Sequence, residues 1–290
     1  MSLQLEIRDL TKEYGEKKAL DSVSLVLAEG VYGLLGPNGA GKSTLMNIIA
    51  QITKQTSGEV LFDGQNISDM GNTYKSMLGF MPQQQGMYEY FTGYRFLYYM
   101  AALKGVAPGN IKSEVLRVAE RVNLQNNLKQ KIRGYSGGMK QRLLIAQALL
   151  NEPRVVLFDE ATAGLDPKIR IEVRNLISEI ARDKIVLIAT HVVQDVEYIA
   201  RKLIVMRHGK LVACDTVDKL LSSMDGKVYE VVADYEDVRA IENQYIVSNM
   251  LQVSNGIRMR IIAESLPELD AQAVPPSLED YYLYTFEGKK

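Results

Sequence analysis

Apolar residues fall along the chain in short blocks whose spacing alternates between that of strands and that of helices. "LQLEIRDL" alternates apolar and polar positions, the period of a half-buried strand, and "ALDSVSLVLAEG" continues in strand fashion to Gly30. "VYGLLG" is a short apolar run stopped by glycine, which predicts a buried strand. From Lys42, "KSTLMNIIAQI" switches to helical spacing. "GEVLFDGQNI" sets Asp-Gly between apolar runs and predicts a hairpin.

The character changes after "MLGFMPQQQ". From about Gly93 to Leu150 the pattern is helical, through "YRFLYYMAALKGV", "IKSEVLRVAERVNL" and "YSGGMKQRLLIAQALL". Strands return with "RVVLFDEA" and "KIVLIATH", separated by the helix "PKIRIEVRNLISEIARD", whose proline suits a first turn. "KLIVMRHGKLVACD" reads as a hairpin around His208-Gly209. This rhythm predicts an α/β core with a mainly parallel sheet, an N-terminal strand region and a helical insertion at about 85–150. A boundary is expected in "SSMDGK", dividing 1–222 from a small α+β unit at 223–290, whose "SNG" turn joins two strand-like runs.

Composition narrows the class. The 290 residues are 47% hydrophobic and 24% charged, as in an ordinary globular protein, with a net charge of −1. No broad basic excess recommends a nucleic-acid partner. The single cysteine, Cys214, excludes a disulfide within the chain, fits a reducing compartment and reads as a buried strand thiol. The N-terminus lacks the apolar stretch of a signal peptide, and no uncharged run approaches the ~20 residues that cross a bilayer. Any membrane crossing is expected from another chain.

The chemistry begins at "GPNGAGKST", Gly36 to Thr44, which matches G-x-x-x-x-G-K-[ST] between a strand and a helix. Gly36, Gly39 and Gly41 let the backbone point N–H groups at phosphate oxygens; Lys42 supplies charge to the β- and γ-phosphates; Ser43 offers a hydroxyl to Mg²⁺. Thr44 is placed for the α-phosphate. "VVLFDE" ends a strand in two acids, Asp159 for Mg²⁺ through water and Glu160 to orient or deprotonate an attacking water. Glu160 favours hydrolysis over transfer to an acceptor hydroxyl. A second anion grip follows from "YSGGMKQ", where a serine and two glycines precede a helix.

With these motifs in this order, the chain resembles the ATP-binding subunit of an ABC transporter, over about residues 3–220. The resemblance implies a P-loop NTPase core, an N-terminal antiparallel β subdomain and a helical subdomain carrying the signature motif. It implies ATP and Mg²⁺ as ligands, with Gly36, Pro37, Asn38, Gly39, Ala40, Gly41, Lys42, Ser43 and Thr44 around the phosphates and Tyr14 stacked on adenine. Gln83, joining Ser43 and Asp159 at the metal, links it and the attacking water to the membrane partner. His191 touches the γ-phosphate, so Glu160, His191, Lys42 and Gln83 form the catalytic set. Ser136, Gly137 and Gly138 grip the ATP of a second ATPase chain, and Gly164, Leu165 and Asp166 face that chain. Alone, Tyr14 and Gln83 read as an ordinary strand tyrosine and a loop amide, and His191 more often as a packed histidine than a catalytic group; order and context raise all three.

The implied activity is ATP hydrolysis coupled to separate transmembrane subunits, at the cytoplasmic face of the membrane. ATP binding closes a head-to-tail dimer of like or related chains. The aromatics of "GMYEYFTGYRFLYY" serve either a docking groove for the membrane subunit or the core of the helical block. "VPPSLEDYYLYTFEGK" resembles the ending of ATPases of type-2 exporters, and Ser277 there reads as a helix N-cap with Glu279 and Asp280 in the first turn. The sequence departs from the family pattern at Met139, Ala161 and Ala163, none of which removes a catalytic group. A soluble ABC-type ATPase of translation or DNA maintenance is the alternative; a single cassette, no long coiled coil and weak net charge speak against it.

Overall fold

The computed structural model describes residues 3–83 and 86–287. The chain divides into two compact units, Met1–Cys214 and Asp215–Lys290.

The first unit opens with β1 (Gln4–Tyr14) and β2 (Lys17–Ala28), an antiparallel pair. Alternation turns Leu5, Ile7, Leu20 and Leu27 inward, as the period-2 pattern requires. β3 (Gly30–Leu35), α1 (Lys42–Ile49), β4 (Ser57–Phe62) and β5 (Gln65–Asn66) follow. Asp63 and Gly64, at φ 48° and 82°, make the β4–β5 hairpin turn that Asp-Gly foretold. These strands form an antiparallel sheet in the order β2-β1-β4-β5.

Next come α2 (Ile67–Met70), α3 (Asn72–Met77) and β6 (Leu78–Met81), then the helical stretch α4 (Gly93–Leu103), α5 (Ile111–Arg121) and α6 (Gly137–Ala148). α5 buries Ile111, Val115, Val118 and Ala119, one face at helical spacing. The chain then returns through β7 (Val155–Asp159), α7 (Pro167–Ile180), β8 (Ile185–Ala189), α8 (Val193–Glu197), β9 (Lys202–Arg207) and β10 (Lys210–Asp215). The second sheet runs β10-β9-β3-β8-β7-β6, with β9, β3, β8, β7 and β6 parallel. Every residue of β7 and β8 is buried, which accounts for their unbroken apolar sequences. One core joins the two sheets across α1, with Leu5, Val60 and Phe62 meeting Ile49, Leu157 and Leu187. Cys214 lies in β10 as expected, half-buried against this core rather than enclosed in it.

The second unit holds α9 (Val217–Ser222), β11 (Val228–Ala233), α10 (Val238–Gln244), β12 (Ile246–Val253), β13 (Gly256–Ile262), β14 (Ala271–Ala273) and α11 (Leu278–Glu287). α9 belongs here, on the far side of the Cys214/Asp215 division, whereas the sequence reading draws the boundary after it. The sheet is antiparallel in the order β12-β13-β11-β14, and Tyr229, Val231, Met259 and Ile261 pack with Ile241 of α10.

Candidate functional site

Parallel strands end together. Leu34 of β3 pairs with Ala189 of β8, Asp159 of β7 pairs with the same Ala189, and Met81 of β6 pairs with Phe158. The segments that leave these ends therefore share one edge of the sheet: Gly36–Thr44 after β3, Gln83 after β6, Glu160 after β7 and His191 after β8. The carboxyl edge of a parallel sheet is where α/β folds bind ligands.

The loop after β3 is shaped by two crowded glycines. Gly36 has φ 155°, and a Cβ there would lie 2.3 Å from the carbonyl oxygen of Met206. Gly41, the N-cap of α1, has φ 105°, and a Cβ would lie 2.6 Å from the carbonyl of Ala19. Both positions need left-handed backbone and close approach, which only glycine combines. Lys42 folds back over the loop, its Nζ donating to the carbonyls of Gly36 at 2.5 Å and Pro37 at 3.1 Å. Burial lowers the pKa of this ammonium, and the charges of Glu160 and Asp159 oppose that shift.

The acids lie beside it. The Ser43 hydroxyl lies close enough to the Asp159 carboxylate to favour its charged form. Burial pushes the Asp159 carboxyl above its ordinary value and the neighbouring Glu160 adds to this, with Lys42 and Ser43 working against it. Glu160 breaks the strand: its φ is 58°, a left-handed conformation that costs a non-glycine residue about 1–2 kcal/mol. Its backbone N–H donates to Ala189 at 2.9 Å, which locks the turn to the end of β8. The Glu160 carboxylate then meets the next segment: the His191 N–H donates to Oε1 at 3.1 Å, and the imidazole Nδ1 lies 2.8 Å from Oε2. Glu160 is almost enclosed at 11% exposure, while His191 stands out at 66%. The arrangement sets a nearly enclosed carboxylate beside an exposed imidazole and the glycine-rich loop after β3.

Hydrogen bonds and charge contacts thus join Lys42, Ser43, Asp159, Glu160 and His191. Among the described residues, Tyr14, Gln83 and Ser136–Gly138 stand outside that group. Tyr14 ends β1 half-exposed, with the Lys12 ammonium 4.8 Å from its ring. Gln83 is exposed. Ser136 caps α6, its Oγ accepting from the Met139 N–H at 3.3 Å, and Ser136 and Gly137 are exposed. Gly138 packs on Ile169 of α7, where a Cβ would come within 2.9 Å of its Cγ2. Gly164 and Asp166 are exposed, but the Leu165 side chain is buried.

Sequence reasoning missed Gln141, whose Nε2 donates to the carbonyl of Ala161 at 2.5 Å and ties α6 to the turn beside Glu160. It also missed Thr162 and Asp195, buried polar residues that hydrogen-bond to each other. The available signal was an acid set between the apolar residues Val193 and Val196.

Residues 20–163 match the ABC transporter family. The chain is 32% identical to the bacitracin transport ATP-binding protein BcrA of Enterococcus faecalis, over 94% of this chain and 89% of that protein. This chain belongs to the ATP-binding proteins of ABC transporters. It is also 32% identical to the Nod factor export ATP-binding protein I of Rhizobium meliloti, over 73% of this chain and 64% of that protein. The ATP-binding cassette MJ0796, solved as a dimer in a post-hydrolysis state with ADP and Pi, superimposes with a TM-score of 0.65 at 26% identity, over 73% of this chain and 98% of that one. An ABC ATPase fold is what the two sheets and the helical stretch build. Among the described residues no helix of this ABC ATPase is long and apolar enough to cross a membrane.

Proposed function

We propose that this ABC transporter subunit hydrolyses ATP at the group formed by Lys42, Ser43, Asp159, Glu160 and His191, and that ATP closes two such chains head to tail to drive an exporter. The observation that carries the reading is the Glu160 carboxylate, dehydrated and aimed by the His191 N–H at the edge where the phosphate loop opens. In the reaction, Lys42 exchanges the carbonyls of Gly36 and Pro37 for phosphate oxygens. Glu160 takes the proton of a water as that water attacks the γ-phosphorus and the bond to the β–γ bridging oxygen breaks, leaving ADP and phosphate. His191 stands exposed where it can donate to a γ-phosphate oxygen.

Mg²⁺ fits the donors present: Ser43 and Asp159 supply hard oxygen atoms on neighbouring segments, and a desolvated Asp159 gains from a cation. Bound there, the ion would neutralise charge on the β- and γ-phosphates. Gln83 would sense the site from the end of β6.

The dimeric cassette in the comparison supports a shared site, in which the exposed Ser136–Gly137 helix start of one chain meets the ATP of the other. Exposed Tyr98 and Tyr99 on α4, against buried Phe96 and Leu97, support docking of a transmembrane subunit there, with the chain on the cytoplasmic side of the membrane. Export rests on the similarity to the Nod factor export ATP-binding protein and on the Ser277–Asp280 helix start.

The test is the mass of Glu160→Gln in solution with and without Mg-ATP. The amide fills the same space but cannot act as a base, so ATP should be held and not hydrolysed. The expected result is a monomer that becomes a dimer only with ATP. A variant that binds ATP and stays monomeric rules out the like-chain dimer; one that hydrolyses as fast as wild type removes Glu160 as the base.

A further inference from the structure

Behind the nucleotide site lies a buried acid that the reaction itself does not use. Asp195 is 2% exposed and accepts, at Oδ2, a hydrogen bond from the hydroxyl of Thr162, itself 3% exposed. Thr162 is two residues past Glu160, in the turn that leads to Gly164–Asp166. Asp195 sits in α8, four residues past His191. The hydrogen bond therefore joins the two segments whose leading residues, Glu160 and His191, meet at the catalytic edge.

The other carboxylate oxygen is unusual. Oδ1 of Asp195 is buried without a hydrogen-bond partner, and so is Nε of Arg170 in α7, which faces it at 4.0 Å. Buried donors and acceptors are nearly always satisfied, and a facing pair about 1 Å too far apart marks an interaction poised to close. α7 begins directly after Asp166, and Arg170 donates its own backbone N–H to the Asp166 carbonyl at 2.9 Å. A second contact holds the same helices together: Arg174 donates to the Gln194 carbonyl at 3.1 Å and lies over the Tyr198 ring.

We infer that Asp195 is a positioning residue for hydrolysis, fixing Glu160 against His191 through Thr162 and drawing α7, with the loop before it, into that arrangement through Arg170. The inference rests on the proposed role of Glu160 as base. Asp195 is buried and acts through Thr162, so its removal should disturb the rate of chemistry and leave ATP binding intact.

The experiment measures kcat and KM for Mg-ATP, with a thermal midpoint for each full-length variant. Thr162→Val and Asp195→Asn should each lower kcat about 10-fold, since sub-ångström misplacement of reacting groups has effects of that order. KM should stay within about twofold, because the phosphate loop is untouched. Thr162→Ser, which keeps the hydroxyl, should restore the wild-type rate. Arg170→Gln should slow the reaction too, and combining it with Asp195→Asn should cost less than the product of the two effects. A kcat per bound ATP equal to wild type in Thr162→Val and Asp195→Asn would overturn the inference while leaving the base assignment standing. So would a loss of rate that follows the fall in thermal midpoint and is not rescued by Thr162→Ser. A wild-type chain whose hydrolysis survives Glu160→Gln would overturn the base assignment and the inference with it.

Discussion

At the residue scale, the phosphate loop is constrained most tightly where its glycines meet other strands. A methyl group on Gly41 would press on the Ala19 carbonyl at 2.6 Å and on Leu20 Cδ2 at 2.9 Å, at a φ of 105° that L residues avoid. Gly39, at φ 81°, has open space around it. Gly39→Ala should therefore carry only the conformational penalty, about 1–2 kcal/mol. Gly41→Ala should cost more and weaken ATP binding at least several-fold, read by thermal unfolding with and without ATP. Equal losses for the two variants would show that backbone conformation, not packing, sets the loop. The motif was legible in the sequence because its spacing is local. The difference between its glycines was not, because Ala19 and Met206, which crowd Gly41 and Gly36, come from β2 and β9. The same holds for Glu160 and His191: each strand end could be read alone, but their contact depends on β7 and β8 being neighbours.

At the element scale, α11 shows a local signal leading to a nonlocal structure. Ser277 and the acids after it predict a helix start, and Ser277 Oγ does accept from the Asp280 N–H at 3.3 Å. Asp280, however, is fully buried rather than a solvated first-turn acid. Its carboxylate accepts from the Ser277 N–H at 2.7 Å, from Ser248 Oγ of β12 at 2.5 Å and from the Arg260 guanidinium of β13 at 2.8 Å. Nothing in the run of residues 275–280 announces partners on two strands. Burial pushes the Asp280 carboxyl up, but Arg260, Ser248 and Ser277 outweigh it and hold it below the usual carboxylate range. A lowered folded-state pKa contributes stability above the unfolded value, about 4, that is lost as pH falls through the folded value. The second unit should therefore lose stability only below about pH 4 on this account. Asp280→Asn removes the nearer of the two carboxylates that face Arg260, leaving Glu230 at 3.5 Å, and should cost about 1–3 kcal/mol even at pH 7. Denaturant unfolding of wild type and variant from pH 7 to 3 checks both. A variant as stable as wild type at pH 7, or a difference that grows on acidification, would contradict the assignment.

At the scale of the whole molecule, the question is why one chain carries two helix starts that we propose bind phosphate. The motif order and the α/β core were legible, because each rests on patterns running along the chain; the second unit's start was not, since α9 belongs with it. The pairing of sites between chains is not a property of one chain's pattern, and it can be tested by mixing two inactive proteins. Lys42→Ala removes the phosphate-loop ammonium but leaves Ser136–Gly138 intact. Gly137→Asp keeps the phosphate loop but sets a carboxylate against the partner's γ-phosphate; Gly137 has nothing within 4 Å of a Cβ, so the side chain fits without distorting α6. Each protein alone should be nearly inactive. In a head-to-tail dimer of one of each, one site combines both defects and the other combines the two intact halves. Random pairing makes about half the dimers mixed, each with one working site of two, so an equimolar mixture should recover about a quarter of wild-type ATPase activity. A chain that completed its own site would gain nothing on mixing. Recovery near a quarter, set by mixing ratio and abolished when both substitutions are placed in the same chain, would follow only from a site built by two chains.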